Sequence, residues 1–360
     1  MGTPCQTLVA AAPGDAVTSS ALEIRRLLRK LGPSEIYALH IHEDLVGDIR
    51  PLSECPRLDA SDSIVVHVSM GDPDWFGWVL SQNARFIVSY HNISPATYFS
   101  GWDDDTAQRL EFGRRTLSAL LPQTMLCLAD SAFNAAELTS LGYENVQVCG
   151  LLIDTAGLTL ASPDRCVMEQ ASRRSGPSIL HVGQLFPHKR ADYAISAFGR
   201  LVEDYVPDAH LTIVGTPRLH RYVESLHVLV DHLALNDRVT FTGTVSQSVL
   251  NAHFRSADVM VTASEHEGFC VPILEAMSFG LPVVARNFGA IAETSAGAAV
   301  IVPQSVGPDG FAHAISEVLT DPELADGLRE RGRVRASEFT LIRSGCEFLR
   351  AMSNSLDRVC

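Results

Sequence analysis

The sequence predicts an α/β protein of two domains, each a parallel β-sheet with helices on both faces. Short apolar runs that fit strands alternate with helical stretches through most of the 360 residues, and this alternation favours parallel sheets. A strand, a glycine-bearing turn and a helix follow one another from Thr7 and again from Ser178, as at the start of a dinucleotide-type half. The length also suits two domains better than one.

Composition and charge exclude several classes of protein. Hydrophobic residues make up 46% of the chain and charged residues 19%, which predicts well-packed domains rather than disorder. No run approaches the length of a membrane span and the start lacks a signal pattern, so we expect a soluble cytoplasmic protein without stable membrane insertion. The net charge of −14 argues against a nucleic-acid partner. The oligomeric state is not indicated.

Cysteine and histidine spacing gives no sign of a metal. The eight cysteines show no C-x-x-C spacing, and the thirteen histidines show no H-E-x-x-H pairing. We therefore expect buried free thiols rather than disulfides or zinc ligands, and no metal site.

The apolar runs divide the chain into predicted domains. The first domain covers residues 1–165, a linker rich in Ser, Pro, Arg and Gly covers 166–177, and the second domain covers 178–340. The predicted strands of the first domain lie at 7–12, 36–39, 63–68, 85–90, 125–129 and 147–154.

One stretch, residues 257–286, organises the second domain. Its pattern predicts a strand at 259–262, a loop at 264–270, and a helix opened by Pro272 and closed by Gly280. Glu267 on the loop and Glu275 about one turn into the helix can both point toward the helix N-terminus, which suits a diphosphate. Carboxylates beside it can accept hydrogen bonds from sugar hydroxyls. On these two residues alone, a dipole-favoured or solvated glutamate is an equal alternative.

The whole string from Ser264 to Ala285, S-E-H-E-G-F-C-V-P-I-L-E-A-M-S-F-G-L-P-V-V-A, resembles the E-x7-E signature of the retaining glycosyltransferases of family 4. The resemblance implies the GT-B architecture, with two Rossmann-like doubly wound domains facing each other across a cleft. It also implies metal-independent transfer of a sugar from a UDP- or GDP-linked donor to an acceptor hydroxyl, with no further cofactor. The segment 341–360 would form a helix that packs back on the acceptor-binding first domain.

The resemblance assigns roles in the donor site. Glu267 and the backbone amides of Phe269 and Cys270 would hold the transferred sugar, Glu275 the ribose, and the start of the helix at Val271 the diphosphate. The loops at Gly215 and at Gly243 would face the nucleotide, although ordinary turn glycines are an equal alternative. The donor-binding candidates are Gly183, Gln184, Lys189, Gly215, Gly243, Val245, Glu267, Gly268, Phe269, Cys270, Val271 and Glu275.

Lys189 follows a glycine turn at a helix entrance, where an ammonium group can neutralise a leaving diphosphate. Family members typically carry G-R-x-x-x-x-K here. Lys189 matches the lysine, but Gln184 replaces the arginine and removes one positive charge. The following Arg190 is a candidate to compensate.

The first domain offers weaker candidates. His91 directly follows a predicted strand, and a lone histidine there is more often structural. The resemblance implies that it contacts the donor sugar, which makes His91, Lys189 and Glu267 the catalytic candidates. Gly14, Asp15 and His91 are the acceptor-binding candidates, with an ordinary βα turn an equal alternative for the first two.

Charge is the sequence's one indication of the acceptor. Before residue 170, Asp and Glu outnumber Lys and Arg about two to one, which favours a neutral or cationic acceptor such as an amino sugar or aminocyclitol. Two alternatives stay open. The first is a nucleotide-sugar epimerase or hydrolase of the same fold, and the second is a non-catalytic nucleotide-sugar-binding module, which Gln184 favours.

Overall fold

The computed structural model describes residues 3–356 and divides into two compact units. Unit 1 comprises residues 1–153 and 339–360, and unit 2 comprises residues 154–338. Each unit contains one parallel sheet, of seven and six strands respectively. The predicted α/β class with two doubly wound, Rossmann-like domains is therefore confirmed.

Unit 1 is built on a seven-stranded sheet in which every strand pair is parallel. Its strands are β1 Cys5–Ala11, β2 Ile36–Ile41, β3 Arg50–Pro51, β4 Ser63–Val68, β5 Arg85–Tyr90, β6 Thr124–Ala129 and β7 Val146–Val148. The helices between them are α1 Ala16–Leu28, α2 Pro73–Ser81, α3 Asp104–Thr116 and α4 Ala132–Ser140. The strand order is β3-β2-β1-β4-β5-β6-β7, so the winding direction changes between β1 and β4.

The strands and helices of unit 1 follow from local sequence. All six residues of β4 are buried, as expected for a strand covered on both faces, and its Ile and Val residues suit that position. Helix α2 begins where Asp72 accepts hydrogen bonds from the backbone N–H groups of Asp74 and Trp75, with Pro73 in the first turn.

Unit 2 contains the strands β8 Ser178–Val182, β9 His210–Val214, β10 Val239–Gly243, β11 Val259–Thr262, β12 Val283–Arg286 and β13 Val300–Val302. Its helices are α5 Thr155–Leu160, α6 Arg165–Ser172, α7 Ala191–Asp204, α8 His220–His232, α9 Gln247–Ser256, α10 Val271–Ser278, α11 Ile291–Ser295, α12 Pro308–Thr320 and α13 Pro322–Ser337. The strand order is β10-β9-β8-β11-β12-β13. The winding direction therefore changes between β8 and β11, and ligands of open α/β sheets bind at such a point.

Two features near the boundary differ from the sequence prediction. The predicted linker at 166–177 contains most of α6, whose N-terminus is capped by Asp164 accepting a hydrogen bond from the N–H of Val167. The predicted strand at 147–154 is shorter, because β7 pairs with β6 over three residues only. Asp154 instead caps α5, accepting from the N–H of Gly157. A single capping aspartate in a short polar segment is a weak sequence signal, and both helices were therefore missed.

The last helix, α14 Leu341–Leu356, belongs to unit 1. Phe348, Ala351 and Met352 on this helix share a buried cluster with Leu28 of α1 and Leu126 of β6. The predicted helix at 341–360 extends past the described residues at its last four positions.

The described cysteines are free thiols. Cys127, Cys149 and Cys270 are buried, whereas Cys166 and Cys346 are exposed, so the expectation of burial is wrong for these two, and Cys360 lies outside the described residues. Between residues 3 and 356, no helix combines the length and apolarity needed to cross a membrane.

Candidate functional site

The site lies at the carboxyl ends of β8 and β11, the neighbouring strands between which the sheet of unit 2 changes winding direction. Two segments leave the sheet there. We call residues 183–190 the lysine turn and residues 264–270 the glutamate loop. Together with the start of α10, which follows the glutamate loop directly, they contain most of the predicted donor-binding residues.

The lysine turn starts in close contact with the loop after β9. A Cβ atom added to Gly215 would lie 1.8 Å from the carbonyl oxygen of Gly183, so only glycine fits at position 215 without displacing that backbone. The N–H of Leu185 donates to the carbonyl of Thr216 at 3.2 Å. The predicted glycines 183 and 215 thus lie side by side.

The loops after β9 and β10 are also joined. The N–H of Gly215 donates to the carbonyl of Gly243 at 3.3 Å, and the hydroxyl of Thr244 donates to that of Thr216 at 3.1 Å. The next residue, Val245, is half-buried. The structure therefore brings Gly183, Gly215 and Gly243 together at the carboxyl ends of neighbouring strands.

The lysine turn and the glutamate loop are connected by a salt bridge. Lys189 Nζ donates to Glu267 Oε1 at 2.8 Å, and the two side chains are 22% and 8% exposed. Burial is the largest influence on the pKa of Lys189 and acts to lower it, but the charge of Glu267, the neighbouring Cys270 and the hydrogen bond to Glu267 together outweigh burial, so the pKa is raised. Lys189 is therefore fully protonated at neutral pH, as a phosphate ligand has to be.

A second pair lies beside the first. Arg190, whose backbone is left-handed with φ 54°, contacts Glu265 and also donates to Asp192. Glu265 accepts a further bond from Arg286 at 3.0 Å, and its N–H donates to the carbonyl of His188 at 2.8 Å. Consecutive cations of the turn therefore pair with alternate glutamates of the loop.

These contacts decide the role of two predicted residues. Arg190 is held by Asp192 and Glu265, so it is not available to compensate for the uncharged Gln184. The half-buried Gln184 uses its backbone carbonyl to accept from the N–H of Phe186 at 2.8 Å. Lys189 has one carboxylate partner where Arg190 has two, so Lys189 stays the candidate phosphate ligand of this turn.

The buried guanidinium of Arg286 holds Glu265 of the glutamate loop by a hydrogen bond. It lies 4.1 Å from the ring centroid of Tyr193 and 4.8 Å from that of Phe288, close enough for cation–π attraction. It also donates to the carbonyl of Gln304 at 3.2 Å. Arg286 therefore fixes Glu265, and through it one end of the loop.

The glutamate loop turns directly into α10. Cys270 has a left-handed backbone with φ 73°, precedes Pro272 in the first turn, and gives the helix no side-chain cap. The positive end of the helix dipole, which such an N-terminus presents, favours an anion. Burial, followed by the charge of Glu267, raises the pKa of the Cys270 thiol well above its usual value, so Cys270 contributes no charge of its own.

Glu275 lies in the second turn of α10 and is half-buried. Burial raises the pKa of its carboxyl from 4.5 to about 7. A carboxylate here is costly until a ligand supplies hydrogen bonds to the charged form. The position and the raised pKa are consistent with the predicted role of Glu275 as a ligand-binding group, which stays a prediction.

Glycine 289 holds Glu267 in place, a role that the sequence alone did not assign. Its φ is +56°, and an added Cβ would lie 2.2 Å from the carbonyl oxygen of Glu267. That same carbonyl accepts from the N–H of Ala290 at 2.9 Å. A glycine between Phe288 and Ala290 does indicate an unusual backbone position, but the sequence does not reveal that the contact is with the Glu267 backbone.

We expect Gly289→Ala to destabilise unit 2 and weaken ligand binding at the glutamate loop, because the methyl group displaces the Glu267 backbone. The expected loss is about 1–3 kcal/mol in the free energy of unfolding, measured by urea titration. Gly297→Ala is the matched control, since Gly297 has φ +81° but no atom within 4 Å of an added Cβ. Equal losses in the two variants would contradict the assigned contact.

The candidates in unit 1 are placed differently. Asp15 caps α1, accepting from both the N–H and the hydroxyl of Thr18 at 2.8 Å, and the neighbouring Gly14 is exposed. His91 follows β5, but its imidazole is 3% exposed and both ring nitrogens contact other side chains. The acceptor-binding role of these three residues stays a prediction.

The sequence alone did not indicate several residues that hold the candidate side chains at the carboxyl ends of the strands in the two units. In unit 2 these are Glu265, Arg286 and Gly289, and in unit 1 they are His67 and Asp130. Each acts through a partner distant in sequence, which no local pattern reveals. Within residues 3–356, no group of three His, Cys, Asp or Glu side chains could hold a metal ion.

Comparison with known families gives the class to which this site is similar. Residues 168–335, which contain the lysine turn, the glutamate loop and α10, match the family model described as "Glycosyl transferases group 1". The matched part is most of unit 2.

Individual relatives agree with that class. An uncharacterised glycosyltransferase of Methanocaldococcus jannaschii is 33% identical over 146 residues, which are 40% of this chain and 36% of the relative. The GDP-mannose-dependent α-(1-6)-phosphatidylinositol monomannoside mannosyltransferase of Mycobacterium tuberculosis is 32% identical over 167 residues, 44% of this chain and 42% of the relative. The chain thus spans about two fifths of the length of these curated relatives.

A solved structure extends the likeness in fold to nearly the whole chain. HepE of Anabaena, in complex with UDP and glucose, superposes with a TM-score of 0.78 at 16% identity, over 98% of this chain and 100% of that one. At this identity the likeness establishes the fold alone, and it agrees with the predicted GT-B class.

Proposed function

We propose that this protein is a metal-independent retaining glycosyltransferase of family 4 that transfers a sugar from a nucleoside-diphosphate sugar to an acceptor hydroxyl. The observation that carries the proposal is the Lys189–Glu267 pair at the start of α10, at the point where the sheet changes winding direction. The match of residues 168–335 to a glycosyltransferase family model supports it.

Each group has a chemical role in this proposal. Lys189 and the N-terminus of α10 stabilise the charge that develops on the leaving diphosphate as the anomeric bond loosens. Glu267, with the backbone amides of Phe269 and Cys270, holds the transferred sugar. Glu275 accepts hydrogen bonds from the ribose hydroxyls, which stabilise its charged form.

Donor binding also changes the salt bridge. Glu267 neutralises Lys189, so a diphosphate competes with this carboxylate for the same ammonium group. Hydrogen bonds from sugar hydroxyls to Glu267 replace the bonds that it loses. Sugar and diphosphate therefore bind together more tightly than either does alone.

The donor base and the acceptor are finer proposals. The name of the mycobacterial relative specifies GDP-mannose and the HepE structure contains UDP, so both bases are kept for the donor. The acidic first half of the sequence favours an amino sugar or aminocyclitol as the acceptor. Counted by compact units, however, unit 1 has 20 acidic and 13 basic residues and unit 2 has 22 and 15, so each carries −7. The charge argument for that acceptor thus loses its main support.

A donor panel tests the proposed function. The protein is incubated with UDP- and GDP-sugars, with and without candidate acceptors, and nucleotide release and product anomeric configuration are followed. Acceptor-dependent release with retained configuration is expected. Acceptor-independent conversion would instead identify an epimerase or hydrolase, and failure to bind any nucleotide sugar would overturn the proposal.

One observation favours a second candidate, a nucleotide-sugar-binding module without turnover. Gln184 is uncharged, Arg190 is held by Asp192 and Glu265, and Lys189 is paired with Glu267. The site therefore offers a diphosphate little net positive charge. Binding without nucleotide release in the donor panel would support this candidate.

We expect Gln184→Arg to tighten binding of the nucleoside diphosphate, because it adds a cation to the lysine turn. A hydrogen bond to a charged group contributes about 1.5–3 kcal/mol, roughly a 10- to 150-fold lower Kd, measurable by calorimetry at two salt concentrations. Gln170→Arg on the exposed face of α6 adds the same charge elsewhere. If both variants changed the Kd equally, a general charge effect rather than a local contact would be responsible.

A further inference from the structure

Hydrogen bonds run through four buried side chains of unit 1, from the end of β6 to the helix after β1. Both carboxylate oxygens of Asp130 contact His91 Nδ1, at 2.9 and 3.1 Å. His91 Nε2 lies 2.9 Å from His67 Nδ1, and His67 Nε2 lies 2.9 Å from Gln6 Oε1. All four side chains are at most 4% exposed, so water does not compete for these bonds.

Gln6, the last side chain in this row of hydrogen bonds, fixes the positions of the protons. The amide NH₂ of Gln6 donates to the carbonyl of Ala21 at 3.1 Å, so Oε1 faces His67 and accepts. His67 must therefore carry its hydrogen on Nε2. Burial, with the charge of His91, lowers the pKa of His67 well below its usual value, so this ring is neutral and its Nδ1 keeps a lone pair.

The lone pair on His67 determines the state of His91. Because His67 Nδ1 can only accept, His91 Nε2 must donate to it. At Nδ1, the two similar distances to Asp130 fit an N–H shared by two carboxylate oxygens, whereas a protonated carboxyl would donate through one oxygen. Both ring nitrogens of His91 therefore carry hydrogen.

The other groups near the pair do not change this assignment. Ser89 Oγ lies 3.3 Å from His91 Nε2 and can share its hydrogen. Burial, and then the charge of Asp130, raises the pKa of the Cys149 thiol to about 12, so the thiol is neutral. Burial raises the pKa of Asp130, and the charge of His91 and its hydrogen bond reduce that rise without cancelling it, so the assignment rests on the two distances from Asp130 to His91.

A histidine backed by an aspartate is a common arrangement of a general base, in which the second ring nitrogen accepts a proton from the substrate. We infer that the Asp130–His91 pair cannot work in this way, because His67 occupies that nitrogen and holds His91 as a fixed imidazolium. His67 and Gln6 are thus positioning residues that act through His91. The consequence for turnover rests on the proposed function. The protonation state of His91 is independent of that function.

The protonation state is tested by NMR on the full chain labelled with ¹⁵N-histidine, with His67→Gln and His91→Gln used for assignment. We expect both ring nitrogens of His91 to resonate as protonated nitrogens from pH 6 to pH 8, and His67 to stay a neutral Nε2–H tautomer. A His91 ring that loses a proton within this range, as an ordinary histidine does, would overturn the inference.

His67→Leu removes the acceptor and is expected to let His91 lose its proton between pH 6 and pH 8. If turnover is detected, kcat should gain a pH dependence that the wild type lacks, with a smaller change in KM. If His67→Leu does not fold, Gln6→Met replaces it. This variant removes the acceptor that keeps the hydrogen of His67 on Nε2, and the same loss of a proton from His91 is expected.

Gln82→Leu is the matched control. It removes another buried amide of unit 1, one that contacts the Leu58 N–H and the Trp78 carbonyl, and it should leave the His91 resonances unchanged. His91 resonances in His67→Leu and Gln6→Met that match the wild type would contradict the inference. A protein without any turnover would defeat the proposed function but leave the NMR result to decide the inference.

Discussion

Replacing Lys189 by methionine is expected to lower kcat by at least about 100-fold, the effect of removing one charge-stabilising donor from an active site. Lys189 is the proposed phosphate ligand of the lysine turn, since it has one carboxylate partner whereas Arg190 is held by both Asp192 and Glu265. Steady-state kinetics with the donor that the panel identifies would measure the loss. A kcat within threefold of the wild type would contradict a role in diphosphate departure.

The same substitution removes the salt-bridge partner of Glu267, whose side chain is 8% exposed. We expect a loss of roughly 1–3 kcal/mol in the free energy of unfolding, less than the 3–5 of fully buried pairs because Lys189 is partly exposed. The double variant Lys189→Met/Glu267→Gln should recover most of this stability but none of the activity. Recovery of activity along with stability would mean that the pair is structural only.

Replacing Glu275 by glutamine is expected to change stability and donor binding in opposite directions. The folded-state pKa of about 7 lies above the usual 4.5, so the stabilising contribution of the carboxyl is complete below pH 4.5 and is lost as the pH rises through 7. The wild type should therefore lose up to about 3 kcal/mol across this range, and the variant should lose less. Urea titrations at pH 5 and pH 8 would measure the difference.

Donor affinity should fall in the same variant. A charge-assisted hydrogen bond contributes about 1.5–3 kcal/mol, so the Kd for a nucleoside-diphosphate sugar should rise roughly 10- to 150-fold. Glu330→Gln, on the exposed face of α13, removes a carboxylate elsewhere in unit 2 and should change neither property. Unchanged donor affinity in Glu275→Gln would remove Glu275 from the site.

The sequence predicted the centre of the unit 2 site well, because its signals are local. The strand at 259–262, the loop that follows it, and the helix with Pro272 in its first turn all appear in the structure. Apolar runs, proline and glycine determine the structure of the few residues around them. The elements of this βαβ segment could therefore be predicted from the local sequence. Glu267 and Glu275 were located by the same reasoning.

The contacts that give these residues their properties could not be predicted. Arg190 pairs with a glutamate 75 residues away in sequence, and nothing near Arg190 indicates that partner. The proton state of His91 depends on Gln6, 61 residues from His67 and in another strand. Such properties arise from the order of strands in the sheet, which a single sequence leaves open.

The return of α14 to unit 1 has a consequence for how the chain matures on the ribosome. Phe348 and Met352 complete a cluster with Leu28 and Leu126, yet they are synthesised after every residue of unit 2. Unit 2 has all its residues once position 338 is synthesised, whereas unit 1 keeps an uncovered apolar surface until α14 has been synthesised. A nascent chain arrested before residue 341 should accordingly engage chaperones through its N-terminal portion.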